Sequence, residues 1–142
     1  MRIFRTIVYT VLILSIAAIL VVKHNRAKQL APRDGKSPAT IALADARNDH
    51  LPAWLLVHSN ICQACEEMEK VYKKLEPVFG NRVKFVEVDY DDPAEQALIR
   101  GFNIRLVPTS IFVKADGKVL EKKIGAMTAE QTKAVLGRLR GK

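Results

Sequence analysis

Two cysteines, Cys62 and Cys65, are the residues in this sequence best suited to chemistry, and they stand in the tetrapeptide Cys-Gln-Ala-Cys. With this spacing near a helix start, the two sulfurs can close a small disulfide ring. At a helix N-terminus the free N–H groups and the helix dipole favour a thiolate. Because the thiolate is the nucleophile in disulfide exchange, we expect Cys62 to attack and the more buried Cys65 to act as the resolving thiol.

The motif has other interpretations. The two thiols could form part of a metal site, with His58 as a further ligand and a soft ion such as Cu(I) or Zn(II) bound. They could also be two unrelated buried thiols. The context favours redox chemistry, because the motif follows a predicted strand, begins a predicted helix and belongs to a β-α-β unit. That chemistry requires no cofactor.

Composition and charge exclude several classes of protein. Of the 142 residues, 49% are hydrophobic and 27% are charged, so the chain is neither disordered nor fibrous. Two cysteines are too few for a disulfide-rich mini-protein and fall short of the ligands that a structural zinc site needs. The net charge is +8, but residues 51–142 hold fifteen Lys/Arg against twelve Asp/Glu. The interspersed charges there argue against a nucleic-acid-binding protein.

The hydrophobic pattern after the first third of the chain predicts alternating helices and strands. The predicted helices cover residues 39–48, 62–75 and 92–100 and a last segment from 128, and the predicted strands cover 53–58, 83–88, 109–113 and 119–124. Capping boxes at 92–95 and 128–131 begin two of the helices, and Pro77 and Gly80 are predicted to end the second one. The order predicts an α/β domain with a central mixed four-stranded sheet flanked by helices.

An uncharged apolar run precedes this domain at residues 6–22. As a helix it would be about 25 Å long, which is at the short end of what crosses a bilayer. No small-residue cleavage site follows directly. We therefore interpret residues 1–22 as an N-terminal transmembrane anchor, residues 23–38 as a polar linker and residues 39–142 as the folded domain. A cleaved signal peptide and a buried core helix are the alternatives.

The charges that flank the apolar run give conflicting indications of topology. Five basic residues follow it, and the positive-inside rule would place the domain in the cytoplasm. However, a short basic tail with Arg2 and Arg5 before an apolar run is the usual start of an exported or signal-anchored protein. We expect a single-pass protein of the cell membrane with its domain on the extracytoplasmic face.

Together these motifs resemble the thioredoxin family over about residues 39–140. The resemblance rests on the order and spacing of CQAC, VEVDYDDP, FNIRLVPT and KADGKVLEKKIGA. The segment ALADARNDHLPAWLLV further resembles membrane-linked or exported bacterial relatives. The resemblance implies a thioredoxin-like fold and a thiol–disulfide oxidoreductase. Its partners would be protein disulfide or dithiol substrates and a membrane or soluble thiol redox partner.

The resemblance also assigns roles around Pro108, which stands at the start of a predicted strand. It implies that the Val107–Pro108 bond is cis and that Pro108 packs against the disulfide. Backbone groups at Val107 would bind an extended substrate segment, and Thr109 belongs to the same substrate-binding stretch. The alternative function is a non-catalytic binding module that keeps the fold and the cysteines and serves protein assembly at the membrane.

Several residues depart from the family pattern. Gln63-Ala64 replaces the usual Gly-Pro between the cysteines, and Ile61 replaces the aromatic residue before them. Lys70 stands in place of the proline that kinks the active-site helix. Leu56 replaces the buried aspartate of thioredoxins proper. The chain therefore resembles a thioredoxin-like protein more than a housekeeping thioredoxin.

The missing aspartate leaves the resolving thiol without an evident proton acceptor. Strand alternation places Glu87 on one face with Val83 and Phe85. We hypothesise that Glu87 is partly buried below Cys65 and accepts its proton; in the alternative, Glu87 points to solvent or pairs with a lysine. We interpret His58 as an ordinary half-buried histidine; in the alternative, it changes the stability of the cysteine thiolate. We interpret Trp54 as a packing residue.

Overall fold

The computed structural model describes Ser15 and residues 37–139. The helices are α1 (Pro38–Asn48), α2 (Gln63–Phe79), α3 (Gln96–Gly101) and α4 (Ala129–Arg138), and a 3₁₀ turn at Pro93–Glu95 precedes α3. The strands are β1 (Ala53–His58), β2 (Lys84–Asp89), β3 (Thr109–Val113) and β4 (Val119–Ile124). Apart from Ser15, the predicted transmembrane segment lies outside the described residues. None of the helices in the described part is long and apolar enough to cross a membrane.

The four strands form one mixed sheet in the order β2-β1-β3-β4. β1 and β2 are parallel, because α2 carries the chain back between them. β3 runs antiparallel to both β1 and β4. The predicted mixed four-stranded sheet is thus confirmed. The C-terminal end of β1 leads to Cys62, and the N-terminal end of β3 follows Pro108. Because β1 and β3 are antiparallel neighbours, these two strand ends lie at the same end of the sheet.

Helices cover both faces of the sheet and form two hydrophobic clusters. On one face, Leu55 and Val57 of β1 pack with residues of α1 and α3. On the other face, Trp54 and Leu56 pack with residues of α2 and α4. The Trp54 ring centroid lies 5.1 Å from those of Tyr72 and Phe85 and 5.7 Å from that of Phe112. The interpretation of Trp54 as a packing residue is therefore confirmed.

Side-chain caps fix the starts of α1 and α4 at the predicted positions. The Ser37 hydroxyl accepts a hydrogen bond from the Thr40 N–H at 3.1 Å, and proline occupies the first turn of α1. Thr128 and Gln131 form the predicted reciprocal capping box of α4, with hydrogen bonds of 3.2 and 2.9 Å. Each cap satisfies N–H groups that the first helical turn leaves without a partner.

Two predictions about helix ends are each wrong in part. Asp92 accepts a hydrogen bond from the Ala94 N–H at 2.8 Å, but Glu95 does not complete a capping box. Instead Glu95 is buried and accepts a hydrogen bond from the Ala39 N–H at the start of α1, and a 3₁₀ turn precedes α3. The second helix ends at Gly80 as predicted, but Pro77 does not end it, because the helix continues to Phe79. A proline in the last turn forgoes a single backbone hydrogen bond, and its fixed φ suits a helix.

Candidate active site

The cysteine pair lies at the N-terminus of α2. Cys62 is the N-cap residue, and its Sγ accepts a hydrogen bond from the Cys65 N–H at 3.2 Å. The two residues form a disulfide, with their Cα atoms 5.2 Å apart. Cys62 is half-buried and Cys65 is fully buried. This arrangement leaves Cys62 as the sulfur that a partner can reach and places the N–H groups of the first helical turn where they favour a Cys62 thiolate.

The segment before β3 faces the first cysteine. The Val107–Pro108 peptide bond is cis, as the family resemblance implies. The Val107 carbonyl oxygen lies 3.9 Å from Cys62 Sγ. Pro108 is buried and Val107 is half-buried. The backbone of Val107 is therefore next to the sulfur where an exchange reaction would start.

Thr109 holds this segment in place through its side chain. The hydroxyl donates a hydrogen bond to the Leu106 carbonyl oxygen at 2.6 Å, and the residue is fully buried. The Gly125 N–H donates to the Pro108 carbonyl oxygen at 2.8 Å and so ties the same segment to the end of β4. The Thr109 side chain thus braces the loop internally, and a substrate contact at this residue stays a prediction.

Three apolar side chains next to residues of the site are exposed, which the sequence interpretation did not identify. Ile61, Leu106 and Ile124 have exposed fractions of 93%, 60% and 60%. Ile61 precedes Cys62, Leu106 precedes Val107, and Ile124 is the strand partner of Thr109. We call these three residues the apolar rim. The signal that could have identified them is their position directly beside the motif residues.

Hydrogen bonds between two loops position the chain just before Cys62. The Ser59 hydroxyl donates to Asp91 Oδ2 at 2.5 Å, and Asn60 Nδ2 lies 3.4 Å from Asp89 Oδ2. The Cys62 N–H then donates to the Ser59 carbonyl oxygen at 3.3 Å. Since Ser59 is buried, these contacts fix the turn that presents Cys62 at the start of α2.

The burial hypothesised for Glu87 is wrong. Strand alternation is as predicted, because Val83 and Phe85 belong to the cluster under α2. However, Glu87 itself is exposed. Burial raises the pKa of Tyr72 on α2 well above its usual range, and the Glu87 charge raises it further. Glu87 is thus an exposed charge that acts on Tyr72 and lacks the buried setting on which its role as proton acceptor depended.

His58 has a charged partner on α2. It ends β1, and its side chain is only 14% exposed. Its Nδ1 lies 3.3 Å from Glu69 Oε1, and Glu69 Oε2 lies 3.5 Å from Lys73 Nζ. The Nδ1–Oε1 distance is that of an ion pair when the imidazole is protonated, and Nδ1 has no hydrogen-bond partner among the described residues. Among the described residues, no group of three or more His, Cys, Asp or Glu side chains is arranged to hold a metal ion.

The fold and the site define an α/β protein with a disulfide-forming cysteine pair at a helix N-terminus, opposite a cis-proline. A family model for the thioredoxin-like domain matches residues 39–140, and the chain belongs to this family. The thioredoxin of Haemophilus influenzae is 31% identical over 84 residues, which are 59% of this chain and 76% of that protein.

Solved thioredoxin structures are similar to this chain. Thioredoxin O2 of Arabidopsis thaliana in the oxidized state has a TM-score of 0.60 and 26% identity, and the match covers 70% of this chain and 84% of that one. Thioredoxin-2 of the malaria parasite has a TM-score of 0.57 and 25% identity, over 62% of this chain and 82% of that one. Family membership and the cysteine pair support thiol–disulfide oxidoreductase activity in general.

Proposed function

We propose that the chain is a membrane-anchored thiol–disulfide oxidoreductase that exchanges disulfides with protein substrates through Cys62 and Cys65. The observation that carries the proposal is the half-buried Cys62 at the N-terminus of α2, with its Sγ 3.9 Å from the carbonyl oxygen of the cis Val107–Pro108 segment. A nucleophilic sulfur and an adjacent backbone segment are the two parts that disulfide exchange with a peptide requires.

The exchange takes place in two steps. In the reductive direction, the Cys62 thiolate attacks one sulfur of a substrate disulfide and forms a mixed disulfide, and the other substrate sulfur leaves as a thiolate and takes a proton. Cys65 then loses its proton and attacks Cys62 Sγ. This step forms the Cys62–Cys65 disulfide and releases the second substrate thiol. Two electrons and two protons have passed to the substrate. A thiol redox partner then reduces the Cys62–Cys65 disulfide and so restores the two electrons and two protons to the cysteine pair.

The substrate site consists of the Val107 backbone and the apolar rim. An extended substrate segment would pair with the backbone groups of Val107, while Ile61, Leu106 and Ile124 would pack against its apolar side chains. Burial of such side chains supplies most of the favourable free energy in peptide binding. A rim of this kind suits unfolded or extended protein segments that carry a cysteine.

The placement of the protein is part of the proposal. Residues 1–22 would anchor it, residues 23–38 would form a polar linker, and residues 39–142 would carry out the exchange on the extracytoplasmic face of a bacterial cell membrane. The uncharged run at 6–22 and the basic tail before it support this topology. A C-terminal phosphatase fusion should be active. An inactive phosphatase fusion together with a fluorescent C-terminal fusion would contradict this topology and place the domain in the cytoplasm.

Reduction of insulin by the full-length chain tests the activity. Wild type should accelerate insulin precipitation in the presence of a small dithiol, and Cys62→Ser should abolish the acceleration. Cys65→Ser should accumulate a mixed disulfide through Cys62, because no resolving thiol remains. If wild type and Cys62→Ser act alike while both stay folded, the chain is a binding module with an inactive cysteine pair.

A further inference from the structure

His58 and Glu69 form a pair of titratable groups in the contact between the sheet and α2. Side chains alternate along β1, so His58 shares a face with Leu56, the face that α2 covers. The His58 and Glu69 side chains are 14% and 26% exposed, and His58 Nδ1 lies 3.3 Å from Glu69 Oε1. A pair of this kind is partly shielded from water, and its charges act over a longer distance than those at the surface.

Short stretches of chain join both members of the pair to the cysteines. Glu69 follows Cys65 by four residues in α2, and residues with this spacing are neighbours on a helix face, about 5–6 Å apart at Cβ. His58 is joined to Cys62 by three loop residues, and the Cys62 N–H donates to the Ser59 carbonyl oxygen. Glu69, whose carboxylate contacts the imidazole, therefore lies about one helical turn from the resolving cysteine.

Few other charged groups face His58. From α2 they are Glu69 and, beyond it, Lys73, whose Nζ lies 3.5 Å from Glu69 Oε2. From β2, Asp89 is the strand partner of His58, and its Oδ1 accepts a hydrogen bond from the Asp91 N–H. Val107, the residue before β3 that contacts Cys62, carries no charge. With Leu56 apolar, His58 is the half-buried group in this region whose residue type changes charge between about pH 5 and 8.

We propose that His58 is a positioning residue that couples proton uptake to reduction of the Cys62–Cys65 disulfide, with Glu69 holding the imidazole. The inference rests on the proposed function, because it assigns a control to the same cysteine pair. When two glutathione molecules reduce the disulfide, they form glutathione disulfide and deliver two electrons and two protons. One proton stays on Cys65, the other binds His58, and Cys62 remains a thiolate.

The coupling has a definite direction. An imidazolium stabilises the neighbouring thiolate, so reduction is easier at a pH where His58 carries a proton. By reciprocity, reduction raises the pH midpoint at which His58 binds its proton. A purely structural histidine would change stability but would not link the two equilibria.

Equilibration of the full-length chain with glutathione from about pH 5 to 9 tests this linkage, since a histidine titrates inside that range. The test variant is His58→Asn, because the Asn side chain is polar but cannot titrate. The matched control is His50→Asn, which removes an exposed histidine after α1. At low pH, His58→Asn should be about three- to tenfold harder to reduce than wild type, and a tenfold change corresponds to about 30 mV. At high pH the two should coincide, and His50→Asn should follow wild type throughout.

NMR titration of the His58 ring in wild type provides a second readout that needs no variant to fold. The midpoint should lie at higher pH in the reduced protein than in the oxidised one. Equal midpoints in the two redox states, or a His58→Asn profile parallel to that of wild type, would overturn the proposal. Both readouts use glutathione or no substrate, so an absence of insulin reduction would contradict the proposed function and leave this linkage measurable.

Discussion

Ser110 lies directly opposite Leu56 in the antiparallel pair of β3 and β1, and both side chains are fully buried. The Ser110 hydroxyl has no hydrogen-bond partner among the described residues. The family resemblance assigns the Leu56 position to a buried aspartate in thioredoxins proper. In this chain an apolar side chain and an unsatisfied hydroxyl therefore occupy the region where a carboxylate is expected.

Replacement of Ser110 by Ala should stabilise the protein. A buried hydroxyl without a partner costs about 1–3 kcal/mol, so Ser110→Ala should raise the free energy of unfolding by about 1 kcal/mol. The neighbouring Thr109→Val is the matched control, because it removes a hydroxyl that donates to the Leu106 carbonyl oxygen. It should lower the free energy of unfolding by about 1 kcal/mol. Urea unfolding followed through the single tryptophan, Trp54, measures both, and changes of the same sign would contradict the assignment.

The parts of the site that depend on local chain chemistry could be predicted from the sequence. Cys62 begins a helix because its sulfur and the following residues meet the needs of an N-cap, and Thr128 with Gln131 does the same for α4. Strand alternation and the connection types then define the sheet. This topology determines which strand ends lie at the same end of the sheet. The approach of Val107 to Cys62 could therefore also be predicted from the sequence and the family resemblance.

The parts that depend on how far one element covers another could not be predicted. Alternation gave the correct face for Glu87 but could not show that the side chain is exposed on that face. The His58–Glu69 contact joins residues eleven positions apart and depends on where α2 crosses the end of β1. Likewise, hydrophobicity alone predicts burial for an apolar residue such as Ile61, and only its position beside Cys62 indicates otherwise.

Tyr72 should make the stability of the protein sensitive to alkaline pH. Burial, and to a smaller degree the charges of Glu87 and Glu76, raise the pKa of Tyr72. Its contribution to stability is present below the tyrosine pKa of the unfolded chain, about 10. It is lost as the pH rises above that value, at up to about 1.4 kcal/mol per pH unit. Tyr72→Phe should therefore lose less stability than wild type above this pH.

Urea unfolding at a series of pH values from neutral to strongly alkaline measures this effect. Near neutral pH the Tyr72→Phe and wild-type curves should nearly coincide, since both side chains are then uncharged. Glu87→Gln retains the phenol, so it should keep most of the alkaline sensitivity, because burial is the larger cause of the raised pKa. A Tyr72→Phe curve that falls as steeply as wild type would show that other groups cause the alkaline loss.

Ile61 should contribute to substrate binding and not to the chemical step. Its side chain is 93% exposed and adjoins Cys62, so a bound protein segment would bury it. A buried isoleucine stabilises a complex by about 1.5 kcal/mol or more, so Ile61→Ser should raise KM for a protein disulfide about tenfold with little change in kcat. Val78→Ser is the matched control: Val78 is 51% exposed but lies near the other end of α2, and the 17 residues of that helix span about 25 Å. Steady-state insulin reduction by the two variants and wild type measures the difference. An equal rise in KM for both variants, or a fall in kcat for Ile61→Ser alone, would contradict a binding role for the apolar rim.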